Sequence, residues 1–290
     1  MKAFLFPGQG AQFVGMGMDL YETYPVAKEL FDKANQILGF NLTQVMFEGS
    51  SEDLIQTKIT QPAIFLHSVI SAKVKMTEKP DIVAGHSLGE FSALVANGTL
   101  NFEDALMLVS QRAQAMQKSC DETKGTMAAI MTSDINLVED ICNNISDIVV
   151  PANYNTPSQL VISGSISGIQ KASKELEEKG ARVIPLSVGG AFHSPLMDSA
   201  KKNLQEAIEA TTFSTPFCPI YQNVTAEPTT DITTIRANLI NQLTGSVRWS
   251  QTIQNMMVNN VSHFVEVGGK GRILLGMVRK INRKAQMEML

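Results

Sequence analysis

The sequence predicts an α/β protein: a larger domain with a parallel sheet, interrupted by a small inserted unit of βαββαβ order. Three observations lead there. Short apolar runs of strand length alternate with longer helix-periodic stretches. The rhythm turns strand-rich over residues 125–194 and then reverts. With 290 residues, 44% hydrophobic and 18% charged, the chain can bury a large core.

Lys2 to Phe6 is the first strand, stopped by Pro7 and Gly8. Ala63 to Val74 is a very apolar segment, Asp81 to Ala84 a second strand, and Leu88 to Asn97 a helix ended by Gly98. Asn101, with Asp104 three residues on, reads as an N-cap that opens an amphipathic helix from Phe102 to Ser119. Gly125 breaks that pattern. Strand Met127 to Met131, helix Leu137 to Asn144, strands Val149 to Tyr154 and Leu160 to Ser163, helix Ile169 to Glu178 and strand Arg182 to Val188 follow. This βαββαβ order is the split, ferredoxin-like unit, with Asn155 to Ser158 as the turn between its middle strands. A helix Pro195 to Thr211, strands Cys218 to Gln222 and His263 to Val267, and a helix from Ile273 to Arg283 close the chain. The expected domains are therefore 1–124 with 195–290, and the insertion 125–194. No internal repeat or low-complexity tract is evident.

Composition narrows the function. A net charge of −4 offers no global field for nucleic acid or an anionic membrane. Cys120, Cys142 and Cys218 are odd in number and far apart, which suits buried thiols in a cytoplasmic protein rather than a disulfide framework or a zinc cluster. No apolar run has the length of a membrane span, and the first is too short for a secretion signal. Lys270, Arg272, Arg279, Lys280, Arg283 and Lys284 face one acid, Glu288, near the C-terminus. Such a run is usually a solvated helix face; the sharper alternative is an acidic partner or a phosphate.

The strongest local motif is Gly85-His86-Ser87-Leu88-Gly89, directly after a strand and before a helix. That is the setting of a nucleophile elbow, and it makes the larger domain hydrolase-like. The glycines let the chain turn past Ser87, and the N–H of Leu88 lies at a helix N-terminus, facing an oxyanion. Of four histidines, His67 sits in an apolar helix, His263 begins a strand without polar companions, and His86 should point away from its neighbour Ser87. His193 lies in the glycine-rich loop Gly189 to Pro195 at the domain junction, where a base for Ser87 belongs; capping the following helix is its structural alternative. Arg112 shares a helical stripe with Ala105, Val109 and Met116, so a guanidinium rides on an apolar face and needs a carboxylate, from the protein or from a substrate. Gly8-Gln9-Gly10 and Gly268-Gly269-Lys270-Gly271 are weak nucleotide motifs: one lacks a third glycine, the other precedes a helix it can simply cap.

Phe6-Pro7-Gly8-Gln9-Gly10-Ala11-Gln12, Gly85-His86-Ser87-Leu88-Gly89-Glu90, Gln111-Arg112 and Ala191-Phe192-His193-Ser194-Pro195-Leu196-Met197 together resemble the malonyl-CoA:acyl-carrier-protein transacylase family. Asn153 to Pro157, Gln242-Leu243 with Val247 and Trp249, and Glu266-Val267-Gly268 extend the resemblance over nearly the whole chain. It implies a two-domain fold and a ping-pong transfer of malonyl from malonyl-CoA, through an acyl-serine, to the phosphopantetheine thiol of acyl carrier protein. It also implies no bound cofactor, the CoA thioester being substrate, and no nucleic-acid or membrane partner. By resemblance Ser87 is the nucleophile, His193 the base and acid, Gln242 the group that orients His193, and Arg112 the clamp on the malonyl carboxylate. Gln9 and Leu88 supply oxyanion N–H groups, Asn155 lines the acyl or thioester channel, and Phe192, before the histidine, excludes an α-methyl. Lys201, Lys202 and the C-terminal cluster are candidates for meeting the acidic carrier. The sequence departs from the family at Val188-Gly189-Gly190 and at Gly269-Lys270-Gly271.

Three alternatives stay open. A free-standing polyketide acyltransferase has the same motifs. A serine thioesterase shares the elbow, but its base follows an acid near the domain end, whereas about a third of this chain follows His193. An inactive carrier-binding scaffold would keep the fold without labelling at Ser87.

Overall fold

The computed structural model describes residues 1–290 and arranges them around two sheets. The strands are β1 (Lys2–Phe6), β2 (Ile82–Gly85), β3 (Gly125–Met131), β4 (Val149–Thr156), β5 (Gln159–Ser165), β6 (Arg182–Pro185), β7 (Ile220–Tyr221), β8 (Pro228–Thr229), β9 (His263–Glu266) and β10 (Gln286–Met289). The first sheet has the order β10, β9, β1, β2, β7, β8 and is parallel except at its β7–β8 edge. The second has the order β4, β5, β3, β6 and is antiparallel throughout. No helix is long and apolar enough to cross a membrane.

A parallel sheet needs both faces covered, and alternation along β1 shows how this is met. Phe4 and Phe6 join one core with Val83, Ile220 and the helices Thr57–Lys75, Gly89–Ala96 and Phe102–Glu122. Ala3 and Leu5 face the other, with Trp249, Ile253 and Leu274 from the helices Trp249–Val258 and Ile273–Ile281. The antiparallel sheet obeys the same period of two. Ala128, Ile130, Leu160 and Ile162 pack on the helices Ile135–Asn144 and Ile166–Glu178. Met127, Ala129 and Val161 point the other way, into the main core. The antiparallel sheet is also joined by backbone to the segment before the helix Trp249–Val258: Tyr154 N–H donates to Val247 O at 2.9 Å and Val247 N–H to Ala152 O at 2.8 Å.

The expected α/β architecture with its βαββαβ unit is present, and the local departures have physical causes. β6 ends at Pro185, shorter than expected, with one further backbone bond from Leu186 N–H to Met127 O at 3.0 Å. Asn155 and Thr156 belong to β4, so the turn is only Pro157 and Ser158. The Asn101 cap is in place, its side chain accepting from Asp104 N–H at 2.8 Å. Unanticipated are the helices between Met18 and Ile55, the helices Ile232–Gln242 and Trp249–Val258, and the strands β8 and β10. β10 corrects the reading of His263: by pairing with β9 it sets Glu288 Oε2 at 3.2 Å from His263 Nε2.

Candidate active site

Neighbouring parallel strands β9, β1, β2 and β7 end along one edge of the first sheet, where open α/β sheets bind ligands. β1 runs into Pro7, Gly8 and Gln9, β2 into the elbow, β7 into Gln222 and Asn223, and β9 into Val267 and Gly268. The elbow glycines are required for space. A Cβ on Gly85 would lie 1.8 Å from the Gly89 carbonyl carbon, and one on Gly89 2.0 Å from Phe6 O. Ser87 stands between them with φ +52°, and His193 is likewise left-handed at φ +56°. Such conformations cost a non-glycine residue on the order of 1–3 kcal/mol and persist only where the surroundings enforce them.

The geometry assigns both protons of the pair. Nδ1 of His193 lies 2.8 Å from the main-chain carbonyl of Gln242, which can only accept, so Nδ1 carries the ring proton. Nε2 is then the acceptor for the Ser87 hydroxyl at 2.8 Å. Burial first, and the Arg112 charge second, push the His193 imidazole down to about 3, so the ring is neutral at physiological pH and its Nε2 lone pair is free to accept. Gln242 thus sits beside His193 as expected, but through its backbone. Its side chain does other work, donating from Nε2 to Ser87 O and accepting from Arg112 at Oε1, each at 3.0 Å.

Arg112 is 1% exposed, and no Asp or Glu forms an ion pair with it. Its Nη1 donates to Gln61 Oε1 at 2.6 Å, and Nη2 to Ser87 Oγ and Gln242 Oε1, both at 3.0 Å. Nε has no partner. The one carboxyl buried nearby, Glu90, is pushed up to about 8 by burial, against the opposing pull of Arg112, so at neutral pH it is largely uncharged. A buried cation lacking a counter-ion is costly, and this one touches the Ser87 hydroxyl.

Ser87, His193, Arg112 and Gln61 line a cleft of about 330 Å³ between the two sheets. Gln9, Leu88, Asn155 and Phe192 all border it, along with apolar Met127, Val161 and Met277. Neither Gln9 N–H nor Leu88 N–H is bonded within the chain. Asn155 Oδ1 faces His86 Nε2 at 3.0 Å, so the His86 ring turns away from its neighbour Ser87, as expected, and toward β4. The nucleotide readings fail on packing. A Cβ on Gly8 would meet His86 O at 2.3 Å, one on Gly269 would meet Pro7 and Ala11, and Glu266 caps the last helix by accepting from Ile273 and Leu275 N–H. His67 is a satisfied core histidine, accepting from Gly269 N–H at 2.9 Å.

A family model described as Acyl transferase domain matches residues 3–288. The malonyl CoA-acyl carrier protein transacylase of Bacillus subtilis (strain 168) is 42% identical, over 97% of this chain and 90% of that protein. The chain belongs to the malonyl-CoA:acyl-carrier-protein transacylase family. Among solved transacylases, MCAT from Streptococcus pneumoniae superposes with a TM-score of 0.93 at 39% identity, covering 100% of this chain and 96% of that one. A malonyl-transacylase in complex with a type II PKS acyl-carrier protein superposes with a TM-score of 0.94 at 34% identity, covering 99% and 94%.

Three residues of this transacylase site escaped the sequence reading: Gln61, Glu90 and Asn223, each 0–1% exposed. Glu90 is the one charged residue of its helix, Gly89–Ala96, a signal available in the sequence, whereas Gln61 is one of several polar residues in the helix Thr57–Lys75. Asn223 follows a two-residue strand, too short to announce itself. Of the proposed carrier contacts, Lys202 and the C-terminal basic residues are exposed, whereas Lys201 is half-buried and bonded to Asn241 Oδ1 at 3.0 Å.

Proposed function

We propose that this acyltransferase moves malonyl from malonyl-CoA to the phosphopantetheine thiol of an acyl carrier protein by way of a malonyl ester on Ser87. The observation that carries the reading is Arg112: a buried guanidinium without a counter-ion, bonded to the hydroxyl that would be acylated. A malonyl carboxylate supplies the missing charge in bidentate geometry; an acetyl group does not.

In the first half-reaction Ser87 Oγ attacks the thioester carbonyl and passes its proton to His193 Nε2. The oxyanion is received by the free N–H groups of Gln9 and Leu88, each donor contributing roughly 10²–10³ in rate. The C–S bond breaks, and the CoA sulfur leaves with the proton from Nε2. In the second half the carrier thiol gives its proton to Nε2 and attacks the ester, and Ser87 Oγ departs with that proton. Ser87 and His193 account for every proton and acyl movement, so the reading needs no resident cofactor. Phe192 limits space for an α-methyl, a preference worth roughly 1–3 kcal/mol. The compartment we propose is the cytoplasm, where the three unpaired cysteines remain reduced. Malonyl-carrier for fatty-acid synthesis is the product we favour; the likeness to a transacylase bound to a PKS carrier keeps a polyketide acceptor as the second reading.

Intact-protein mass after mixing with malonyl-CoA tests this. The wild-type chain should gain one malonyl group and lose it to added carrier protein, while Ser87→Ala should gain none. CoA release without an adduct or a loaded carrier would make Ser87 a hydrolase nucleophile instead.

A further inference from the structure

Beneath the elbow lies a fully buried residue that the transfer steps leave unused. The Asn223 carboxamide spans the turn: Oδ1 accepts from Ser87 N–H and Nδ2 donates to Gly85 O, both at 2.7 Å. Its own main-chain N–H donates to Glu90 Oε1, on the first turn of the helix that follows the elbow. Three points of the elbow, Gly85, Ser87 and Glu90, are therefore tied to a single residue delivered by the neighbouring strand β7.

We propose that Asn223, fixed by Glu90, is a positioning residue that holds Ser87 in its reacting conformation; this rests on Ser87 being the acylated residue. The left-handed backbone of Ser87 needs an outside restraint, and its N–H is held by the Asn223 side chain rather than by a helix or strand ladder. That bond also engages the Ser87 amide and leaves the oxyanion to the unpaired amides of Gln9 and Leu88. Position 90 has to offer only an acceptor. Oε2 of Glu90 has no partner, and the carboxyl, raised by burial, does not cancel the Arg112 charge that the substrate needs. Glutamine keeps that acceptor; methionine fills the same space without it.

The test measures kcat and KM for malonyl-CoA on the full chain, with the rate at which a fluorophosphonate labels Ser87. Asn223→Ala and Glu90→Met should each lower kcat by about 10²-fold, the loss typical of a reacting group displaced by an ångström, with KM nearly unchanged and labelling slowed in parallel. Glu90→Gln should recover most of the rate that Glu90→Met loses. Wild-type labelling in Asn223→Ala, a defect confined to KM, or a Glu90→Gln as slow as Glu90→Met would overturn the positioning role. Should Asn223→Ala not fold, Asn223→Ser takes its place, and wild-type kcat in that variant overturns the role equally. A wild-type chain that the reagent does not label would remove Ser87 as nucleophile, and both readings with it.

Discussion

The two walls of the cleft are built on different principles. The wall from the parallel sheet is a connected polar network: Ser87, His193, Arg112, Gln61, Gln242 and Asn223 are linked by bonds of 2.6–3.0 Å, mostly out of reach of water. The wall from the antiparallel sheet presents Met127, Val161 and Leu186, with Asn155 as its polar contact to the elbow. Charge and proton traffic thus lie on one side and shape on the other. In a low-dielectric site every member of a polar network depends on the rest, whereas an apolar wall tolerates small changes of volume. Substitutions on the first wall should therefore act on rate and on charge selectivity, and those on the second on fit and stability.

Loss of His193 is the most severe break on the polar wall after loss of the nucleophile itself. His193→Ala should lower malonyl loading by roughly 10²–10⁴, read as single-turnover acylation by mass. Arg112→Ala comes next and is diagnostic in two ways. Malonyl loading should fall roughly 10- to 100-fold for each charge-assisted bond lost, while acetyl loading rises because no buried cation is left unpaired. The pH profile should shift as well. With His193 as the proposed neutral base, activity should be lost as pH falls through its pKa, held at about 3 by burial and then by Arg112. Without the guanidinium the acid limb of kcat/KM should move upward toward the ordinary imidazole value. An unmoved limb would mean that Arg112 and His193 do not sense each other, and the wall would not be one network.

The same division explains what could be read from the sequence. Ser87, His193 and Arg112 were legible because each breaks a local rule: a serine between glycines after a strand, a histidine in a glycine-rich junction loop, a guanidinium on an apolar stripe. The βαββαβ unit was legible because hydrophobic period and turn residues agree along it. Asn223 was not, since its role exists only through the pairing of β2 with β7, a contact between residues more than a hundred positions apart. Gln242 was assigned to the right neighbour by resemblance, but no sequence distinguishes a side chain from its own carbonyl. β10 was not legible because it is four residues long, follows directly on the basic run, and alternates between half-buried and exposed side chains, so only its pairing with β9 marks it.

That ambiguity at Gln242 yields a smaller effect. Gln242→Ala keeps the carbonyl that orients His193 and removes only the side-chain bonds to Ser87 O and Arg112. Acylation should slow by roughly 10- to 50-fold, the worth of one neutral buried bond and one made to the charged guanidinium, with the acid limb of the pH profile in place. A loss as large as that of His193→Ala would mean that the side chain, not the backbone, governs the imidazole.

The smallest effect belongs to the other wall. Asn155 contributes one neutral hydrogen bond, its Oδ1 accepting from His86 Nε2, and the backbone bridge from β4 to Val247 ties the antiparallel sheet to the larger domain without it. Asn155→Ala should cost about 1 kcal/mol, a fall of roughly 2–4 °C in Tm, and leave malonyl acylation within a few-fold of wild type. If acylation instead fell as far as in Gln242→Ala, the His86 ring would be transmitting the position of β4 to Ser87. The antiparallel wall would then belong to the machinery, and a division between chemistry and shape would no longer describe the cleft.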